Sequence, residues 1–366
     1  MSRLRSRLGL ICAVAAVVGG ASLAARADEK SGPVSVAYVA NDAGTIRAFR
    51  IDAATGALTP LGAAVNSPDK NPYSVTVDPA GRRLFVAHGD ASSVVAFEIE
   101  ATSRELKPAA HSRVATPDYA VFAGIDPTGR FLYVSAMVGD AIAAYAIDPN
   151  SGALTPVAGS PFAAGTRPSG SAIHPSGRYL YVTNLTARSV VGFAIDRGTG
   201  ALQPLAGSPF PAGRNPRAIA IEPDGRFAYV VNAASNDISS YSIDPDTGAL
   251  APLSGGPIPT GENPRAVVIA PDGGHLYVAS HFGDSIWAYA IDRATGALRP
   301  LSGKPFAAGK NPRGLAIDRR GMFLYCTNYG ANTVSAYRID AATGALSELQ
   351  GSPYAAGDGP FGIAIF

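Results

Sequence analysis

Three arginines, Arg217, Arg265 and Arg313, stand 48 residues apart, and each ends an Asn-Pro-Arg module. A guanidinium is planar, permanently charged and carries donors in a fork that fits carboxylate and phosphate oxygens, so three on one rim would hold an anion. At a second register of the same step stand His88, Asn184, Asn232 and Asn328. Their amides and imidazole are groups that read hydroxyls. These seven residues are the candidate binding set for a small anionic or hydroxylated ligand. A structural use is open to the same residues: the arginines could bridge neighbouring carbonyls or carboxylates, and the asparagines could cap turns.

Other chemistries have less support. His88 and His281 fall on the arginine side, but they come from distant repeats without neighbouring carboxylates, so no metal site is expected. His174 occupies a turn position that other repeats fill with Asp78, Asp126, Glu222 and Asp318. His275 begins a strand near that turn, and His111 lies in an irregular connection. Asp148-Pro-Asn-Ser-Gly152 and Asp244-Pro-Asp-Thr-Gly248 share the opening of a calcium loop but lack its downstream ligands, which leaves them as β-turns. There is no glycine-rich phosphate loop leading into a helix and no serine nucleophile elbow, and no cofactor is called for.

What must position the arginines is a repeat. Leu58, Leu106, Leu154, Leu202, Leu250, Leu298 and Leu346 follow one another at 48-residue intervals, and so do the acidic residues Asp52, Glu100, Asp148, Asp196, Asp244, Asp292 and Asp340. A period of this length marks a stacked or circular architecture. Within one unit, Arg217–Ile221 reads as a short apolar strand A and Glu222-Pro-Asp-Gly225 as a tight turn. Phe227–Asn232 and Asp237–Ile243 alternate as strands B and C, and a short strand D surrounds Leu250. Strand B repeats an aromatic (Tyr38, Phe85, Tyr133, Tyr181, Tyr229, Tyr277, Tyr325), and so does strand C (Phe49, Phe97, Tyr145, Phe193, Tyr241, Tyr289, Tyr337). A lone four-stranded meander cannot bury both of its faces, so these rings should pack between adjacent sheets.

With no helical periodicity, the pattern predicts an all-β, seven-bladed β-propeller of four-stranded antiparallel blades. The first strand, Val34–Asn41, is a strand B, and Phe361–Ile365 is the seventh strand A. The C-terminal strand should therefore join the N-terminal blade and close the ring. Tyr73, Val121, Ser169, Arg217, Arg265, Arg313 and Phe361 align at the starts of strand A, which places the arginines in one sector of the channel mouth.

Residues 1–27 read as a cleavable signal peptide. Arg3, Arg5 and Arg7 precede the apolar run from Leu8 to about Val18, and Ala25-Arg-Ala27 forms a small-x-small cleavage site. Residues 28–366 then form one propeller domain, exported to the periplasm or secreted, with no membrane span. The first 27 residues hold four arginines and no acid, so cleavage turns the net charge from +2 to −2 and leaves no compositional support for a nucleic-acid partner. Cys326 becomes the sole cysteine, at a strand position held elsewhere by valine, and reads as a small buried hydrophobe.

Tyr181-Val-Thr-Asn184 after Pro175-Ser-Gly-Arg178, with Ile195-Asp196 and Thr199-Gly-Ala-Leu202, resembles the lactonase-type seven-bladed propellers. That family holds 6-phosphogluconolactonase-like and carboxymuconate-cyclase-like proteins, and it overlaps the Tyr-Val-Thr-Asn repeat propellers of exported and surface proteins. The resemblance spans residues 34–366 and implies hydrolysis or formation of a lactone of an anionic sugar or organic acid. Enzymatic members carry histidine in a Pro-His segment at the start of a strand A. This chain has Pro72-Tyr73 and Pro117-Asp-Tyr-Ala120 there, so no residue is carried over as catalytic. A noncatalytic propeller that binds a protein or cell-envelope partner is the alternative expectation.

Overall fold

The computed structural model describes residues 35–301 and 305–366. The expected leader over residues 1–27 lies outside the described residues. Every regular element among the described residues is a β-strand, and the strands form seven antiparallel sheets. The chain is a seven-bladed β-propeller.

The fifth blade shows the plan. Pro216–Ile221 lines the channel and pairs with Phe227–Asn232, which pairs in turn with Asp237–Ile243. The outer edge differs from the single strand expected: Leu250–Pro252 and Ile258–Pro259 are separate pieces, both paired to Asp237–Ile243. Gly255 and Gly256 take positive φ between them, which breaks the extended path. The second blade has no glycine in its outer segment, and its outer strand runs unbroken from Leu106 to Ala115.

The two aromatic columns fill the gaps between blades, and every strand B member is at most 1% exposed. Packing is joined by directional hydrogen bonds. The hydroxyls of Tyr133, Tyr181, Tyr229 and Tyr277 donate to the carbonyls of Gly200, Gly248, Gly296 and Gly344 in the next blade, at 2.7–3.0 Å. The backbone conformation at this contact explains the glycine of the Thr-Gly-Ala-Leu signature. Gly200 has φ +78°, and a Cβ there would collide with the ring of Phe131. Phe85 has no hydroxyl to offer, and Arg83 takes its place by donating to the carbonyls of Pro149, at 3.3 Å, and Asn150.

The ring closes as the repeat predicts. Pro360–Ile365 pairs with Ser35–Asn41, with Ala37 opposite Ile365 and Tyr38 opposite Ala364. Cys326 is free and fully buried, and burial pushes its thiol pKa up.

Candidate anion site at the channel mouth

Each arginine stands in the channel because its strand begins with a bulge. Pro216 pairs with Asn232 and Ala218 with Val231, so Arg217 has no partner in the ladder. Arg265 is skipped in the same way, and Arg313 is skipped together with Gly314. An extra residue on one strand re-aims its side chain. The turn before each bulge is fixed by a residue with left-handed backbone: Asn215, Asn263 and Asn311 have φ of 58°, 53° and 54°. Their carbonyls accept the N–H groups of Ala233, His281 and Tyr329, just past the second strand of the same blade. Backbone bonds thus tie the first and second strands of each of these blades together at the mouth.

The three arginines and the rings of Tyr73 and Phe361 line a central well of about 150 Å³. Arg313 lies between aromatic faces, its guanidinium carbon 3.9 Å from the centroid of Phe361 and 4.4 Å from that of Tyr329. Arg265 donates through Nε to Asn263 Oδ1 at 2.7 Å. The Nε atoms of Arg217 and Arg313 are buried without a partner among the described residues. Among the described residues no carboxylate forms an ion pair with any of the three. Burial, reinforced by the charges of Arg217 and Arg313, pushes the Arg265 pKa down to about 9, and burial lowers Arg217 and Arg313 as well. All three remain cations at neutral pH. Half-buried like charges without counter-charge are a cost that an incoming anion removes.

The other four candidates belong elsewhere. His88, Asn184, Asn232 and Asn328 are 0% exposed, and none lines the well. Asn232 Nδ2 donates to Asp237 Oδ1 at 2.6 Å and Ser239 Oγ at 2.9 Å. Asn328 Nδ2 donates to Thr333 Oγ1 at 3.0 Å and Ser335 Oγ at 2.8 Å. Asn184 Nδ2 reaches only the Val182 carbonyl, at 3.4 Å. The partners of Asn232 and Asn328 lie on the third strand of the same blade, so these amides turn into the sheet and lock its second and third strands. His88 replaces the amide in the second blade, with Nε2 2.8 Å from Ser67 Oγ, and burial pushes its pKa down to about 4. The hydroxyl-reading role expected of these four gives way to a structural one.

His281 is the titratable group that belongs with the arginines. It follows the second strand of the sixth blade and is 6% exposed. Its Nδ1 lies 3.3 Å from the carbonyl oxygen of Pro312. A carbonyl only accepts, so Nδ1 carries the proton and Nε2 keeps the lone pair. Burial, then the charges of Arg265 and Arg313, push its pKa down to about 4. In the sequence the signal was its column, Asp42, Gly89, Met137, Leu185, Ala233, His281 and Tyr329, which lines the mouth one residue beyond the asparagine column. Grouping His281 with His88 as a distant pair concealed it.

The family model described as Lactonase, 7-bladed beta-propeller, matches residues 34–122, 120–212, 163–263 and 206–360. The chain belongs to this lactonase family. Among solved structures, this lactonase-type propeller is similar to the candidate 6-phosphogluconolactonase of Bacteroides uniformis, at 19% identity over 92% of this chain and 100% of that one, with a TM-score of 0.79. The corresponding Bacteroides fragilis protein gives 19%, 93%, 100% and 0.80. The periplasmic gluconolactonase of Pseudomonas aeruginosa gives 21%, 91%, 99% and 0.78. At these identities the likeness is one of fold. No curated protein matches the chain.

Proposed function

We propose that this propeller hydrolyses the lactone of an anionic or hydroxylated acid at the arginine well. The observation that carries the reading is the set of three half-buried guanidiniums that share one small cavity and pair with no carboxylate among the described residues. A well of this kind supplies a counter-charge to a bound anion, and it stabilises the oxyanion that forms when water attacks a lactone carbonyl. In this reading His281 Nε2 takes the proton from the attacking water, and the ring C–O bond then breaks. The leaving alkoxide recovers that proton, giving one hydroxy acid from one lactone and one water. The arginines hold the reacting oxygens, and His281 is the group close to them that can accept a proton at neutral pH.

Export to the periplasm or cell exterior is part of the proposal. It rests on the basic, apolar and small-residue succession of residues 1–27. The periplasmic gluconolactonase of similar fold is consistent with it. The well itself is lined by no acid or imidazole, which favours a second reading in which the protein binds an anion without turnover.

A panel of aldonic and aliphatic lactones, assayed with the wild type, Arg265→Ala and His281→Ala, tests both. Turnover lost in both variants supports hydrolysis. A thermal shift by the product acids that Arg265→Ala abolishes, without turnover in the wild type, supports binding alone. Neither turnover nor shift in the wild type overturns the proposal.

A further inference from the structure

We propose that the acid group of the ligand pairs with the three arginines while a compact apolar carbon body fills the channel beneath them, and that Phe122 sets the size limit of that body. The inference rests on the anion reading above and names the substrate class: the lactone of a small hydrocarbon acid in place of a polyhydroxylated one.

The lining of the well falls in layers, because an extended strand advances about 3.3 Å per residue and each inner strand runs from the mouth into the channel. Arg217, Arg265 and Arg313 stand in the upper layer, and they are the only charged side chains among the described residues of the lining. Two residues further down, Val75, Ile219, Val267, Leu315 and Ile363 surround the same space. Groups that could read hydroxyls are scarce below the mouth. Ser74 and Ser171 are 8% and 3% exposed, and Ser74 Oγ already accepts the Ala123 N–H at 3.0 Å. The well is thus cationic above and apolar below.

The layer between carries the size limit. Six of its seven aligned positions hold small residues, Ser74, Gly170, Ala218, Ala266, Gly314 and Gly362. Two of these must be glycine, since a Cβ on Gly170 would collide with the carbonyl of Arg217, and one on Gly314 with that of Phe361. The seventh position holds Phe122. Its half-buried ring packs against the apolar cluster between the fourth and fifth blades and lines the well. At about 150 Å³ the well equals an apolar protein cavity that takes up benzene, so the space beneath the arginines suits a body of about one six-membered ring.

Cyclohexanecarboxylate and quinate test the polarity of that body, since they share one ring and one carboxylate and differ in the ring hydroxyls of quinate. Titration calorimetry with the full-length protein should show cyclohexanecarboxylate binding at least about tenfold tighter, because each hydroxyl buried without a partner costs about tenfold in affinity. The trans-4-tert-butyl derivative of the same acid tests the size limit. It should bind the wild type about tenfold more weakly than its parent, the cost of overfilling a packed site. Phe122→Ala should reverse that order. Phe122→Leu keeps an apolar side chain on the same cluster, protects the fold, and should remove part of the penalty. A tert-butyl penalty unchanged in both variants would overturn the role of Phe122. Quinate binding as tightly as cyclohexanecarboxylate, or inorganic phosphate binding where neither acid does, would overturn the apolar body and leave the anion reading standing. If phosphate and both acids fail to bind the wild type, both readings fall.

Discussion

The hydroxyl of Tyr325 donates to the carbonyl of Gly56 at 2.8 Å, joining residues 269 apart in the chain. It is the same bond that Tyr133 makes to Gly200, but here it crosses the border between the seventh blade and the first. Removing the hydroxyl leaves a buried carbonyl without its donor. Tyr325→Phe should therefore cost about 1–3 kcal/mol, read as a lower denaturant midpoint with an unchanged slope. Phe85 shows how a border survives without a phenol, through Arg83, so Arg83→Met should lose a comparable amount.

Deleting residues 361–366 should be far more damaging. It removes the inner strand of the first blade and exposes the edge of Ser35–Asn41. Size-exclusion chromatography should show aggregates in place of monomer. An unaltered elution profile and unfolding temperature would contradict the role given to this strand.

Stability should fall with acid in a definite window. His88 and His281 ordinarily titrate near 6.5, and burial brings both down to about 4 in the fold. Between those values the unfolded chain binds more protons than the folded one. Stability is thus fully present above about pH 6.5 and lost as pH falls towards 4, by up to about 3 kcal/mol for each histidine. His88→Asn, which restores the residue found in the neighbouring blades, should flatten the pH dependence of unfolding without affecting ligand binding.

If His281 is the base, the acid limb of kcat/KM should lie near pH 4, because that parameter reports the free protein. An anion in the well would offset the charges of Arg265 and Arg313, so the limb of kcat should lie higher. Coincident limbs would remove His281 from the proton transfer.

The arginine well predicts a further linkage. Anions should raise the unfolding temperature of the wild type more than that of Arg265→Ala, because they supply the counter-charge that the fold omits. Equal effects on the two proteins would mean that the anions act elsewhere.

The fold was legible in the sequence because 48-residue columns expose turns, buried rings and closure all at once. The broken outer strands were less legible, since their interruption depends on where Gly255 and Gly256 bend the chain. The site was legible in part. Arg217, Arg265 and Arg313 break the symmetry of their column, and the bulge before each inner strand turns them into the channel. His88, Asn184, Asn232 and Asn328 misled, because a column identifies a shared height on the propeller and does not say which way a side chain turns. His281 lies one residue beyond the asparagine column that drew attention. Its importance comes from a hydrogen-bonded tautomer, which leaves no mark in spacing.

The seam of the ring carries one more consequence. Val36 and Phe366 exchange both of their backbone hydrogen bonds, at 2.9 and 3.0 Å, so the two ends of the described fold lie side by side. A short linker could join them, and new ends could be opened in any connection between blades. Such circular permutants would keep the same mouth while changing which blade is completed last. The place where the polypeptide is cut is thus independent of the place where it works.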